Sequence, residues 1–237
     1  MSWRTATAFR PRQDFAYLVP TPEDVMRLTG TPERPFIALA NAYDEGFATC
    51  WPAGSRLLLD RVAAPGPGPL DLRALFASAA ARFLRDAVTL LPQFDEQWPL
   101  DPSGALMLAT GHGDVVDVAW IGAARALQVR ADELVAWTTP HTMREQSAAQ
   151  VPATEVASLP TVLVRSIRET PAVPELASFR LERGDRLLFV QGSGFEADAN
   201  AYARAARAAS AEQAATEAVA LGSGQEVFVS AVCLERA

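Results

Sequence analysis

Residues 105–146, ALMLATGHGDVVDVAWIGAARALQVRADELVAWTTPHTMREQ, decide how the rest of the chain is read. An apolar run from Ala105 stops at His112-Gly113-Asp114, a tight-turn triplet, and a second run continues to Ile121. Runs of this length bounded by turn residues are strands. Gly122-Ala123-Ala124 then breaks the pattern with small residues, and a third strand runs to the turn at Arg130-Ala131-Asp132. A fourth ends at Trp137, followed by Thr138-Thr139-Pro140-His141. The spacing predicts an antiparallel meander.

On either side of it the chain alternates between strand and helix signals. Residues 14–19 (DFAYLV) and 36–40 (FIALA) read as strands. Between them Thr21-Pro22-Glu23-Asp24 is a helix start, with Pro at the first helical position and acids in the first turn, ending before Gly30. A second helix is predicted over 52–64. After the APGPGP linker a longer one covers 71–91, with Leu72, Leu75, Phe76, Ala79, Phe83, Val88 and Leu91 near one face. Beyond the meander, 147–161 is a loop or short helix and 161–167 (TVLVRSI) a strand. Ser178–Leu181 and Asp185–Val190 flank Arg183-Gly184 as a hairpin. Residues 197–220 are Ala-rich and helical, split near Ala209-Ser210-Ala211, and 226–234 form a closing strand. This order excludes a doubly wound parallel sheet and predicts antiparallel sheets flanked by helices.

Composition narrows the function classes. The 237 residues are 49% hydrophobic and 21% charged, enough to bury a sizeable core. The net charge of −7 argues against nucleic-acid and anionic-membrane partners. Every cation is Arg; with the abundant Ala this is a composition bias, which lowers the weight of any single Arg. Cys50 and Cys233 are too few for a disulfide framework and read as free buried thiols. No apolar run reaches the ~18 residues of a membrane span, and MSWRTATAFRPRQD lacks the apolar region of a secretion signal. The expectation is a cytoplasmic chain.

The punctuation resembles that of the metal-dependent protein phosphatases of type 2C in their compact bacterial form. Three segments carry the resemblance. Gly122-Ala123-Ala124-Arg125-Ala126 stands where the family has Gly-Asp-Ser-Arg-Ala. Thr138-Thr139-Pro140-His141 stands where it has Thr-x-Asp-His. Gly184-Asp185-Arg186-Leu187-Leu188-Phe189 matches its late Gly-Asp-x-Leu-Leu-Leu. The resemblance implies an α+β fold over 1–237 as a single domain. That fold is a four-layer α-β-β-α sandwich of two packed antiparallel sheets flanked by helices.

The family's chemistry uses two divalent cations, Mn or Mg, held by carboxylates, to activate water against phosphorus. Aligned on that scheme, the acids are missing here. The N-terminal Glu-Asp pair falls on Gln13-Asp14, leaving one acid. The bridging Asp-Gly falls on Asn41-Ala42. The Asp of Gly-Asp-Ser-Arg falls on Ala123, the Asp before His on Pro140, the late Asp-Gly within Gln191-Gly192-Ser193-Gly194 with no acid on either register, and the last Asp-Asn on Gly224-Gln225. Neutral side chains do not offset two dications, so the resemblance implies abandoned metal binding and no catalytic residue. The phosphate-gripping Arg of the family lies near Arg10 and Arg12. Asp14, Asp44 and Glu45 are the candidates for a displaced metal site, although neighbouring acids in a loop usually face water.

Other candidates read more simply. His112 and His141 are unsupported as a zinc pair. His112 sits in a turn and His141 reads as structural. Ser193 lacks a positioned base, and Glu226 faces solvent on an alternating strand. The leading expectation is a binding or regulatory module without metal-dependent turnover and without a cofactor. Its expected partner is a protein, with a phosphoprotein among the candidates. The alternatives are a phosphatase active through a rearranged Mn or Mg site, and a structural subunit of a larger bacterial assembly.

Overall fold

The computed structural model describes residues 2–11, 20–44, 49–62, 70–90, 102–131, 133–148, 150–156, 163–192, 199–222 and 228–237. In chain order the elements are β1 (Trp3–Pro11), α1 (Pro22–Val25), β2 (Met26–Thr31), β3 (Arg34–Asp44), β4 (Thr49–Cys50), α2 (Pro52–Asp60) and α3 (Leu72–Leu90). There follow β5 (Pro102–His112), β6 (Val115–Ile121), β7 (Arg125–Arg130), β8 (Glu133–Trp137), α4 (Met143–Ser147) and α5 (Ala153–Val156). The chain ends with β9 (Glu175–Arg180), β10 (Arg186–Gly192), α6 (Ala199–Ala205), α7 (Ala211–Ala220) and β11 (Phe228–Arg236).

Two antiparallel sheets form, ordered β1-β11-β10-β7-β8 and β2-β3-β5-β6-β9, with β4 added to β3. Strand parity shows how they stack. In β3, Ile37 and Leu39 join Met107, Val118, Phe179, Leu187, Phe189 and Val232 in a core between the sheets. The alternate residues Phe36, Ala38, Ala40 and Ala42 face α2 and α3 with Leu58, Phe76 and Phe83. On the other sheet Leu188, Val190, Val229 and Ala231 face α6 and α7. Strands covered on both faces must be apolar on both, which is why FIALA lacks alternation. The four-layer α-β-β-α order is the one expected.

Several local readings change. The four strands of 105–137 are not one meander. The pair β5–β6 belongs to one sheet and β7–β8 to the other, and the chain crosses between them at Gly122-Ala123-Ala124. Likewise β9 and β10 are not a hairpin. The first pairs with β6, and the second pairs with β7 and β11 in the opposite sheet. The reason is shared: Phe179 and Leu187 both point into the core between the sheets, one from each side, so the turn at 182–185 spans that core. Residues 163–167 make only isolated bridges, Thr142↔Leu163 and Gly104↔Ile167. Val88 is 67% exposed, because the buried stripe of α3 steps through Phe76, Ala79, Ala80, Phe83 and Ala87 instead. The strands β1 and β2 have weak signals. Both are edge strands carrying polar residues, and pairing rather than propensity holds them. The predicted strand 14–19 and Leu91 lie outside the described residues.

Candidate functional site

Of the positions singled out in the sequence, Asn41 lies at one end of the space between the sheets. Asn41 follows Ile37 and Leu39 on the inward face of β3, opposite Ala105 of β5. Its side-chain oxygen Oδ1 is buried and has no hydrogen-bond partner among the described residues. Ala42 points the other way, into the helix-side core, where its N–H donates to Ser55 Oγ at 2.8 Å. Ala123 is 7% exposed in the crossing segment and offers no side-chain oxygen. Gly192 closes β10 with a φ of +89°, and a Cβ there would lie closer than 3.0 Å to the backbone oxygen of Phe228. An aspartate at that position is opposed twice, by backbone conformation and by space.

Arg10 stands on β1 opposite Val229, half-buried, with its guanidinium against Gly222. Asp44 pairs through its backbone with Thr49 and Pro102, and its side chain lies outside the described residues. Also outside them are Arg12, Gln13, Asp14, Glu45, Ser193, Gly224, Gln225 and Glu226. Among the described residues no group of three His, Cys, Asp or Glu side chains is placed to hold a metal ion.

Two polar residues at this end escaped the sequence reading. Gln191 is 3% exposed and shares the inward face of β10 with Leu187 and Phe189; its Nε2 donates to Val25 O at 2.7 Å and lies 3.4 Å from Ala40 O. Ser230 is fully buried, paired in register with both Gln191 and Phe9, and its Oγ has no partner among the described residues. The available signal was parity. Counting by twos from Phe189 and from Val232 puts both residues on the face that meets the other sheet.

The residues kept from the resemblance hold the crossing in place. Gly122 N–H donates to His141 Nδ1 at 3.0 Å, and the His141 N–H returns to Gly122 O at 2.9 Å. Because Nδ1 accepts, the ring proton of neutral His141 is assigned to Nε2, which faces Glu175 Oε1 at 2.8 Å. The ring stacks on Trp120 at 6.2 Å. Arg125 pairs with Glu145 at 2.5 Å, and Thr138 Oγ1 accepts from Ala126 N–H at 2.9 Å. His141 is thus structural, in line with the expectation. His112, its side chain 53% exposed at the end of β5, lies 3.6 Å from Asp117. Cys233 is a buried free thiol pushed up to about 12 by burial, which makes it inert.

Burial pulls His141 below its ordinary value of 6.5, against the raising effect of Glu175. Its neutral form belongs to the fold, so its contribution to stability is complete above pH 6.5. That contribution falls as pH drops from 6.5 toward the folded value, because the unfolded chain takes up the proton first. His141→Phe keeps a ring against Trp120 but strands the Gly122 N–H, and is expected to cost about 1–3 kcal/mol. Urea titrations at about pH 7.5 and about pH 5.5, either side of the ordinary value of 6.5, check both points. The variant should be less stable on the alkaline side, and its deficit should shrink on the acid side.

Solved structures share this architecture along the whole chain. The Mycobacterium tuberculosis serine/threonine phosphatase PstP/Ppp superposes with a TM-score of 0.76 at 18% identity, covering 100% of this chain and 99% of that one. The S. agalactiae serine/threonine phosphatase gives 0.75 at 17%, covering 99% and 100%. The catalytic domain of PstP in complex with two manganese ions gives 0.74 at 16%, covering 99% and 98%. No family model and no curated protein matches the chain. The likenesses establish the bacterial type 2C serine/threonine phosphatase fold.

Proposed function

We propose that this chain is a type 2C phosphatase-like domain over 1–237 that works by binding a protein and has given up metal-dependent turnover. The observation that carries this reading is Gly192. Gly192, in the segment where the resemblance places the late Asp-Gly, has a backbone at φ +89° and a neighbouring carbonyl where a Cβ would stand. The chain there has adapted to having no side chain. Asn41, with its buried amide oxygen, and the buried Ala123 are neutral at the same end and agree with it. A pair of hard dications needs carboxylates for oxygen and for charge, and the described residues do not fit such a pair. No catalytic step through a metal follows.

The partner is proposed as a protein, with a phosphoprotein among the candidates; Arg10 lies on the face of β1 that meets α7, away from the space between the sheets. No helix among the described residues is long and apolar enough to cross a membrane, which agrees with the proposed cytoplasmic location.

Calorimetry with MnCl2 or MgCl2, and hydrolysis of p-nitrophenyl phosphate with and without Mn, test the proposal. The expected outcome is no saturable metal binding and a rate unchanged by Mn. Saturable binding of two ions, or turnover that requires Mn, would establish a rearranged site built on Asp14, Asp44 or Glu45 and sink the reading.

A further inference from the structure

The β2–β3 ladder runs out beside Gln191. Its last pair is Met26↔Leu39, and one more step in register would set Val25 opposite Ala40. The chain instead turns into α1, which ends at Val25. Both carbonyl oxygens are left where the ladder no longer supplies donors, and terminal helix carbonyls have no intrahelical partner either. The side chain of Gln191 enters from the opposite sheet with a primary amide, which carries two N–H donors. Its Nε2 lies 2.7 Å from Val25 O and 3.4 Å from Ala40 O, across sequence separations of 166 and 151 residues. Ala40 immediately precedes Asn41, the residue aligned with the bridging carboxylate, and Gly192 immediately follows Gln191.

We propose that Gln191 is a clasp that joins the two sheets at the end of the cleft. Oxygen atoms of β3 and α1 meet the positive ends of two N–H dipoles. The clasp costs no charge burial, since donor and acceptors are neutral. Gly192 serves it sterically. Its left-handed backbone lets β10 end against Phe228 O without a side chain. The clasp presupposes the metal-free reading of the cleft, and the measurements below keep the two apart.

The test is the thermal midpoint of the full chain, with and without millimolar MnCl2, for wild type, Gln191→Met and Gln191→Glu. Met keeps the length and loses both donors, stranding two buried carbonyls, so a fall in Tm of about 3–8 °C is expected whether or not Mn is present. Glu turns a carboxylate toward two carbonyl oxygens. Its Tm is expected to fall at least as far, because an acceptor then faces two acceptors. A Gln191→Met variant within about 1 °C of wild type would overturn the clasp. A Gln191→Glu variant as stable as wild type would likewise overturn it. A rise of the wild-type Tm in Mn would count against the metal-free reading, while the Gln191→Met shift would still report on the clasp.

Discussion

Gly122→Ala is expected to lower Tm by about 10 °C, through a loss of about 3–5 kcal/mol. Two independent costs add at this residue. Its φ of +111° is a conformation that L side chains rarely adopt, and a Cβ there would lie closer than 3.0 Å to that of Ala105 on β5. Relief by backbone movement is blocked, because the N–H and C=O of Gly122 are both bonded to His141. Gly113→Ala is the control. It has a φ of +58° with nothing within 4 Å, so it carries the backbone cost alone, about 1 kcal/mol. Equal midpoints for the two variants in a thermal or urea melt would show that packing against β5 does not hold the crossing.

Asp185→Ala is expected to cost about 2–4 kcal/mol. This carboxylate, 3% exposed, accepts from Arg130 Nη2 at 2.8 Å, Arg130 Nε at 3.0 Å, Glu182 N–H at 2.8 Å and Gln128 Nε2 at 3.2 Å. It therefore closes the turn that carries the chain from β9 in one sheet to β10 in the other. Burial alone would raise Asp185; the hydrogen bonds from Arg130, Glu182 and Gln128 outweigh it and hold the carboxyl below its ordinary 3.8. A depressed folded value means that the stabilisation is complete above the unfolded value. It is lost as pH falls through the folded one. The gap between wild type and Asp185→Asn in urea midpoint should therefore be wide near neutral pH and narrow on acidification below pH 3.8. A gap that stays constant with pH would mean that the charge of Asp185 contributes nothing and that only its shape matters.

Much of the scaffold is legible in the sequence alone. The hairpins β5–β6 and β7–β8 each bring together residues joined by a short turn, so local alternation and His112-Gly113-Asp114 or Arg130-Ala131 announce them. The sheet that each hairpin joins is not legible there. A small-residue break such as Gly122-Ala123-Ala124 serves equally for a bend within one sheet or a crossing to another, and only the burial of Phe179, Leu187 and Phe189 in one shared core distinguishes them. The strand β1 is hidden for a related reason. Its Trp3, Ala6 and Ala8 become core residues only once β11 lies beside them.

The candidate site divides in the same way. The absence of charge at Asn41, Ala123, Pro140 and Gly192 is written in residue identity, whatever their surroundings. What stands in that place is not written there. Gln191 reads in sequence as one polar residue after an apolar strand. Its meaning comes from two carbonyls, 166 and 151 residues away, that a truncated ladder leaves open. Side-chain chemistry is local and determines what a position is unable to do. Hydrogen bonds between distant strands depend on register and on which faces the hydrophobic core draws together, so only the folded chain decides what those positions do instead.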